Sequence, residues 1–400
     1  MNSPNPIPIL SSLSPKDSAF AVKFVDAVLK SALEFGASDV HFHPVQDGVE
    51  VRWRLDGVLQ PLGVFPKGET TDVVARLKVL ADLLTYQSDL PQEGRIRQAP
   101  VGKEMRVSTF PTLYGERAVV RIFAGQTQHR IIELGLETNI AESLRGQLSA
   151  TGGAIIISGP AGSGKTTTAC ACLREIVSTS VAQRSIVSLE DPVEVAIDGV
   201  SQSQVNPQVG FTLDSGLKSL LRQDPEVIFV GEIRDQMTAR LVMQAALTGH
   251  LVITTFHAGS ATGALSRLLD WRIEPYQLRS GILSILSQRL IRRLCDCAKP
   301  TGEEVLFDGV RLPSARTPLG CDRCARTGYK GRMLLAEWLD LTAPGAAELI
   351  AASDRTQMEH AAIRQGMTTI RENGLAAVTQ GWTSPGELLR SIGFSSSTSG

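Results

Sequence analysis

Gly159-Pro160-Ala161-Gly162-Ser163-Gly164-Lys165-Thr166 decides the fold of this chain. The stretch has Walker A spacing and directly follows the apolar run Ala154-Ile155-Ile156-Ile157, so a buried strand leads through a glycine loop into a helix. Glycines let the backbone turn its N–H groups inward around phosphate. Lys165 is placed to neutralise the β- and γ-phosphates, and the Thr166 hydroxyl is suited to ligate Mg²⁺. Thr167 is counted with Gly159 to Thr166 as nucleotide-binding. A chance glycine turn explains neither the strand nor the Lys-Thr pair, so the chain reads as a binder of a nucleoside triphosphate.

Three clusters follow at intervals suited to successive strand ends, where ligands sit in open α/β sheets. Glu190-Asp191-Pro192-Val193-Glu194 closes one strand and offers carboxylates to the γ-phosphate and Mg²⁺; taken alone, such a cluster is a solvated turn. Val227-Ile228-Phe229-Val230-Gly231-Glu232 resembles a Walker B strand in which Gly231 stands where many P-loop enzymes carry an Asp. Glu232 is therefore the first choice for the base that orients and deprotonates the attacking water, with Glu190 second. His250 and His257 bracket the strand Leu251 to Thr255. A packed structural histidine is the ordinary reading; His257 also suits a sensor of the γ-phosphate.

The order strand, P-loop, helix, then strands Ser185–Leu189, Val227–Val230 and Leu251–Thr255 implies parallel pairing with helical crossovers, a RecA-like α/β core over residues 131–394. Upstream, residues 19–123 mix a helical stretch (Ala21 to Glu34) with an alternating strand (Val49 to Leu55) ending in the turn Asp56-Gly57. This reads as a separate α+β domain of PAS-like type. A linker is expected at 124–130 and loose tails at 1–18 and 395–400. After Asp270 the pattern reads as mainly helical, interrupted by a cysteine-bearing segment, 295–324.

The chain of 400 residues has a formal net charge of −1, so no global basic field gathers DNA or RNA, and no basic-aromatic stripe suits single strands. No apolar run spans a bilayer and no signal peptide is evident, giving an expected cytoplasmic location. Six cysteines are too few for a disulfide scaffold. Cys295, Cys297, Cys321 and Cys324 form two close pairs that suit one tetrahedral structural Zn²⁺, whereas Cys170 and Cys172 read as packing thiols.

GPAGSGKT, SLEDPVE, LRQDPEVIFVGEIRD and TGHLVITTFHA together resemble the type II secretion and type IV pilus assembly ATPases, a superfamily of hexameric secretion motors, over about Ala21 to Ile392. In that family these segments are the Walker A, Asp box, Walker B and His box, and the glycine in the Walker B strand is usual. The resemblance extends to Gly36-Ala37-Ser38-Asp39-Val40-His41 and Arg52-Trp53-Arg54-Leu55-Asp56-Gly57. It implies that Arg106 and Arg121 reach the phosphates when domains close, with Arg222 and Arg267 in similar contexts. It further implies ATP and Mg²⁺ as ligands, a homo-hexamer, and platform proteins that hold the motor peripherally at the bacterial inner membrane. The chain is expected to be a short form lacking the extra N-terminal domain of long members. Gln365 to Gly374 is similar to the assembly and secretion branch rather than to retraction motors. After His257 the family often continues Thr-Asn-Asp, where this chain has Ala258-Gly259-Ser260. A nucleotide-binding regulator or adaptor with little turnover is the alternative reading, followed by a retraction or nucleic-acid motor.

Overall fold

The computed structural model describes residues 10, 12–67, 72–96, 104–122, 129–180, 184–302, 305–307, 309–312, 315–352 and 354–393. Contacts group the chain into two compact units. One comprises Met1–Thr127, Arg292–Lys299 and Thr317–Gly331; the other comprises Gln128–Ile291, Pro300–Arg316 and Arg332–Gly400.

In the first unit, helix α1 (Phe20–Glu34) buries Phe20, Phe24, Val25, Val28 and Leu29, a helically spaced apolar face. Six strands, β1 (Asp39–Val45), β2 (Gly48–Leu55), β3 (Val58–Phe65), β4 (Gln92–Ile96), β5 (Met105–Thr112) and β6 (Gly115–Ile122), form one sheet in the order β3-β2-β1-β6-β5-β4. Every neighbouring pair is antiparallel. In β2 the residues Val49, Val51, Trp53 and Leu55 are buried in the core shared with α1 and α2 (Val73–Leu80), while Arg52 points to solvent. This is the period-2 pattern of a sheet covered on one side. The expected turn forms at Asp56-Gly57, whose φ of +47° and +82° suit a tight hairpin of the mirror-image type.

Two expectations need correction here. Part of the tail expected over 1–18 is ordered: Leu10 is buried in the first core, and the Asp17 carboxylate accepts from the Ala19 N–H at 2.9 Å and from Lys23 at 2.6 Å, fixing the entry to α1. Residues 1–9, 123–128 and 394–400 lie outside the described residues, so the tail at 395–400 and most of the expected linker are not described. Of the cysteine segment, assigned by sequence to the ATPase domain, the stretches that carry the four cysteines group with the first unit and Pro300–Arg316 with the second. Ala325 packs against the first core, and the Gly331 N–H donates to Asp56 at 2.9 Å.

The second unit is built on a seven-stranded sheet. Its strands are β7 (Gly153–Ser158), β8 (Ile186–Glu190), β9 (Ser201–Gln204), β10 (Val227–Ile233), β11 (Leu251–Phe256), β12 (Ile282–Leu294) and β17 (Tyr329–Asp340), in the order β17-β12-β7-β11-β10-β8-β9. From β12 to β9 each neighbouring pair runs parallel. Both faces are covered, which is why these strands read as continuous apolar runs. Ala154 and Ile156 of β7 enter one core, and Ile155 and Ile157 the other. Helices α3 (Thr138–Gln147) and α4 (Lys165–Thr179) contribute to the second of these cores. Helices α5 (Leu213–Leu220), α6 (Gln236–Leu247), α7 (Ala261–Asp270), α8 (Pro275–Gly281), α9 (Ala346–Ala351) and α10 (Arg355–Arg364) contribute to the first. Helices α11 (Ile370–Thr379) and α12 (Pro385–Ile392) share a further cluster with Ile291 and Leu335.

The region after Asp270 is not mainly helical. It supplies β12 and β17, of 13 and 12 residues, besides the short strands β13 (Lys299–Pro300), β14 (Val305–Phe307), β15 (Val310–Leu312) and β16 (Arg316–Thr317). Apolar residues at 282, 285, 286 and 290 of β12 have helical spacing. The strand nevertheless forms because it is inserted beside β7 with Ser284, Ser287 and Gln288 fully buried, so the tertiary context overrides the local period.

Candidate nucleotide site

The apolar run before the glycine loop forms β7 with all six residues buried, and α4 opens at Lys165 behind a left-handed Gly164, φ +90°. A side chain at Gly159 is excluded: its Cβ would lie 2.4 Å from both the Gln288 carbonyl oxygen and Ser163 Oγ. The loop is thus pressed closely against β12. Lys165 is folded back, its ammonium donating to the Gly159 and Pro160 carbonyls at 3.0 Å each. Burial lowers its pKa, opposed by Glu232 and Glu194. Ser163 Oγ is buried without a hydrogen-bond partner among the described residues. That unpaired hydroxyl and the open amino end of a 15-residue helix fit an anionic ligand.

Beside the loop lies a cleft of about 240 Å³, lined by Ala161, Lys165, Thr166, Glu190, Asp191, Glu194, Gly231, Glu232, Arg234, Thr255 and His257 among others. The parallel sheet brings the carboxyl ends of β8, β10 and β11 to the P-loop, so the four sequence motifs meet here. Glu190 is buried and its orientation is fixed: one carboxylate oxygen accepts from Ser188 Oγ at 2.6 Å and from the Gln202 amide at 2.9 Å. Thr166 beside the carboxylates of Glu190 and Glu194 supplies hard oxygen donors of the kind Mg²⁺ takes. Gly231, which stands where many P-loop enzymes carry an Asp, is closely approached. A Cβ there would sit 3.3 Å from Glu190 Cα, and Thr255 Oγ1 donates to the Gly231 carbonyl at 2.6 Å.

His257 is exposed and lines the cleft; Arg267, which stacks on the Phe256 and Trp271 rings, donates to the His257 carbonyl at 3.0 Å. His250 instead lies 3.0 Å from the Ala245 carbonyl at the end of α6, a structural position. Thr167 is exposed on α4 and does not line the cleft. Arg222 is at the end of α5 and does not line it either.

Two residues at the site escaped the sequence reading. Arg234 Nε donates to Glu232 at 3.2 Å and its Nη1 to Asp191 at 2.8 Å, tying the strand ends of β10 and β8; the bond to Glu232 contributes most to holding its proton, followed against burial by the bond to Asp191. Gln288 is fully buried on β12. Its amide N–H donates to the Ser163 carbonyl at 2.8 Å and its oxygen accepts from Thr168 Oγ1 at 3.0 Å, so it braces the P-loop and α4 together. Arg234 falls in the quoted Walker B stretch and was legible as a charge beside Glu232. Gln288 has no local signal, because its role exists only once β12 lies beside β7.

Arg106 and Arg121 lie in the first unit. They are cross-strand partners on β5 and β6. The same register continues from Arg106 to Arg95 and from Arg121 through Asp39 to Arg54, giving one row across five strands. Arg121 pairs with Asp39 at 3.0 Å and Arg106 with Glu93 at 2.6 Å.

The Sγ atoms of Cys295, Cys297, Cys321 and Cys324 lie within 4.8 Å of one another, with 3.8 Å between Cys295 and Cys321 and 3.7 Å between Cys321 and Cys324. Zinc–sulfur bonds of about 2.3 Å in a tetrahedron place sulfurs about 3.8 Å apart, so the set fits Zn²⁺ despite the short first pair. The Gly328 and Cys321 N–H groups donate to Cys324 Sγ at 3.2 Å each, as expected around a thiolate ligand. Cys170 and Cys172 are buried in α4 and belong to its core, as read from sequence.

The profile of the family described as Type II/IV secretion system protein matches residues 14–390. The chain is 39% identical over 388 residues to the type IV pilus assembly ATPase PilB of Thermus thermophilus, covering 93% of this chain and 43% of that protein. It is 39% identical over 392 residues to the type II secretion system ATPase E of Vibrio cholerae, covering 94% of this chain and 76% of the relative. In fold it is similar to the ATPase DotB of Legionella pneumophila, with TM-score 0.68 at 20% identity, covering 94% of this chain and 97% of the other. No helix among the described residues is long and apolar enough to cross a membrane. With the four motifs gathered at one cleft and the profile match spanning both units, this chain belongs to the Type II/IV secretion system protein family and is an ATP-hydrolysing member of it.

Proposed function

We propose that the chain is the motor subunit of a homo-hexameric ring that turns ATP hydrolysis into assembly of a pilus or secretion pseudopilus, held peripherally at the cytoplasmic face of the inner membrane by platform proteins. The observation that carries this reading is the cleft in which Lys165, Thr166, Glu190, Glu232 and His257 converge. Its relatives in Thermus and Vibrio are a pilus assembly ATPase and a secretion ATPase, which supports an assembly role over retraction.

Entry of the phosphates draws Lys165 from the Gly159 and Pro160 carbonyls, exchanging neutral acceptors for charged ones, which strengthens hydrogen bonds roughly twofold. Thr166 is the residue that would hold Mg²⁺, which supplies charge neutralisation of the phosphate oxygens when bound. Glu232 takes the proton of the attacking water; Arg234, bonded to both Glu232 and Asp191, keeps that carboxylate aimed along the strand end. Glu190, already held by Ser188 and Gln202, orients the bound groups. Arg106 and Arg121, from the same subunit or a neighbour, stabilise the charge that develops on the phosphates. His257 registers the γ-phosphate. The four cysteines hold a structural zinc in the first unit, whose PAS-like character and role as the moving body complete the reading.

Mg²⁺-ATP turnover per chain, measured as protein concentration is raised and with Lys165→Ala as the blank, tests this. Turnover per chain that climbs with concentration is the expected result. Tight nucleotide binding with turnover no higher than the blank at every concentration would replace the motor with a regulatory subunit.

A further inference from the structure

The segment that follows His257, Ala258-Gly259-Ser260, carries a single hydrogen-bonding side chain, yet it is held from outside at successive residues. The Gly259 carbonyl accepts from Arg289 Nη2 at 3.4 Å. Ser260 Oγ accepts from Arg355 Nη2 at 3.1 Å while capping α7 through the Gly263 N–H at 3.0 Å. The Ala261 N–H donates to Glu337 Oε1 at 2.5 Å.

Each of these three holders has a second end among the C-terminal helices. Glu337 Oε2 accepts from the Ile370 N–H at 3.1 Å, the first residue of α11. Arg289 Nη1 donates to the Ser391 carbonyl at 2.8 Å, in the last turn of α12. Arg355 is the first residue of α10. Glu337 is 3% exposed, and its carboxylate joins the amino ends of α7 and α11, where helix dipoles favour a negative charge. A buried carboxylate that gives one oxygen to each helix start ties the two together, so displacement of one start strains the other.

We propose that Glu337 and Arg289 are positioning residues that couple the His257 loop to helices α11 and α12, so that the nucleotide state read at His257 is delivered to the C-terminal helices. This rests on the sensor reading of His257 given above. Ala258-Gly259-Ser260 is anchored locally by the Ser260 cap of α7, and the linkage adds the bonds to Arg289 and Arg355 and, at Ala261, to Glu337. The two sites are the cleft and the C-terminal helices, and the element both bias is the loop with its shared carboxylate.

The test uses the full chain, a non-hydrolysable ATP analogue with Mg²⁺, and backbone hydrogen exchange. In the wild type the analogue changes exchange at Ile370 to Asn373 and at Ser391 to Gly393, not only around the P-loop. Glu337→Gln leaves one oxygen to accept and turns an N–H₂ against the other helix start. It is expected to keep analogue affinity within about twofold, to lower kcat about tenfold, and to abolish the exchange response at 370–373. Arg289→Lys, which keeps the charge but lacks the fork that spans two carbonyls, is expected to abolish the response at 391–393. A wild type whose C-terminal helices do not respond to the analogue, or variants that lose analogue affinity and kcat in parallel, would overturn the proposal by reducing both residues to scaffold. His257→Ala separates the two readings. If it leaves turnover and every exchange response intact, the sensor reading fails; if it abolishes them while Glu337→Gln does not, only the coupling fails.

Discussion

The outward face of the first unit's sheet and the cleft of the second unit carry charge in opposite ways. On the sheet, Arg52, Arg54, Arg95, Arg106, Arg117 and Arg121 share a face with Asp39, Glu50 and Glu93; Arg95 pairs with Glu104, and the other arginines with these neighbours or with His41. In the cleft, Glu190, Asp191, Glu194 and Glu232 outnumber Lys165 and Arg234. A polyphosphate entering the cleft meets more negative charge than positive, a balance that Mg²⁺ and the arginines of the proposed mechanism would shift. Side-chain exposures of 47% for Arg106 and 51% for its partner Glu93 mean that this ion pair is screened and inexpensive to exchange, whereas Arg121 is exposed but faces the buried Asp39, and Glu190 is locked by two hydrogen bonds at 3% exposure. The first region holds mobile charge for use; the second holds fixed charge for aim.

The most severe way to break that contrast is to remove the mobile cations. Arg121→Gln and Arg106→Gln, measured as Mg²⁺-ATP turnover at saturating substrate, are each expected to lower kcat about 10³-fold, with analogue binding to the second unit preserved. A loss confined to KM would make them ordinary binding charges. Next in size, Glu232→Gln removes the carboxylate proposed as the base and is expected to lower kcat about 10²-fold while nucleotide stays bound. Unchanged turnover would take Glu232 out of the base role and leave Arg234 with a purely structural partner.

The unequal legibility of the two regions follows from how each is encoded. P-loop, Asp box, Walker B and His box are contiguous segments whose chemistry is local, so Lys165, Thr166, Glu190, Glu232 and His257 could be named before any fold was known, and the parallel sheet then gathered them at one cleft. Gln288 and Arg289 in β12 and Glu337 in β17 belong to no local motif, and their partners lie 125, 30 and 76 residues away in sequence. Of the Arg54–Asp39–Arg121–Arg106–Arg95 row, alternation in Val49 to Leu55 showed Arg54 facing out, and the strand register is what aligns the five. The cysteine quartet was legible as a metal site, but not as part of the first unit, since the Gly331 to Asp56 hydrogen bond spans 275 residues.

Two substitutions of modest effect sharpen the contrast within the first unit. Asp39 is 5% exposed and takes Arg121, Arg54 at 3.4 Å and Ser38 Oγ at 2.8 Å, so Asp39→Asn leaves charged donors short of an acceptor and is expected to destabilise the unit by about 1–3 kcal/mol. Glu93→Gln breaks an exposed pair and is expected to change stability by less than about 1 kcal/mol. Urea unfolding read from Trp53, buried in that core, measures both, and equal effects would erase the distinction between a built-in anchor and a surface pair.

The smallest expected effect is a pH dependence carried by Glu337. Burial raises its pKa above the ordinary 4.5, the Ala261 and Ile370 N–H groups lower it, Glu359 raises it and Arg289 lowers it, with burial the largest influence. A carboxyl whose folded pKa lies above its unfolded value binds the proton more tightly when folded. Its contribution to stability is therefore fully present below about 4.5 and is lost as pH rises through the folded pKa. Acidification towards that value should shift the wild-type Tm upward relative to Glu337→Gln, which cannot titrate, while the cleft carboxylates common to both proteins cancel in the difference. A Tm difference that stays constant between pH 7 and the acid limit of folding would mean that the two helix amino ends hold the charge as well as water does. Glu337 would then belong with Asp39 as a satisfied anchor, and the division between mobile charge in one unit and constrained charge in the other would rest on the cleft alone.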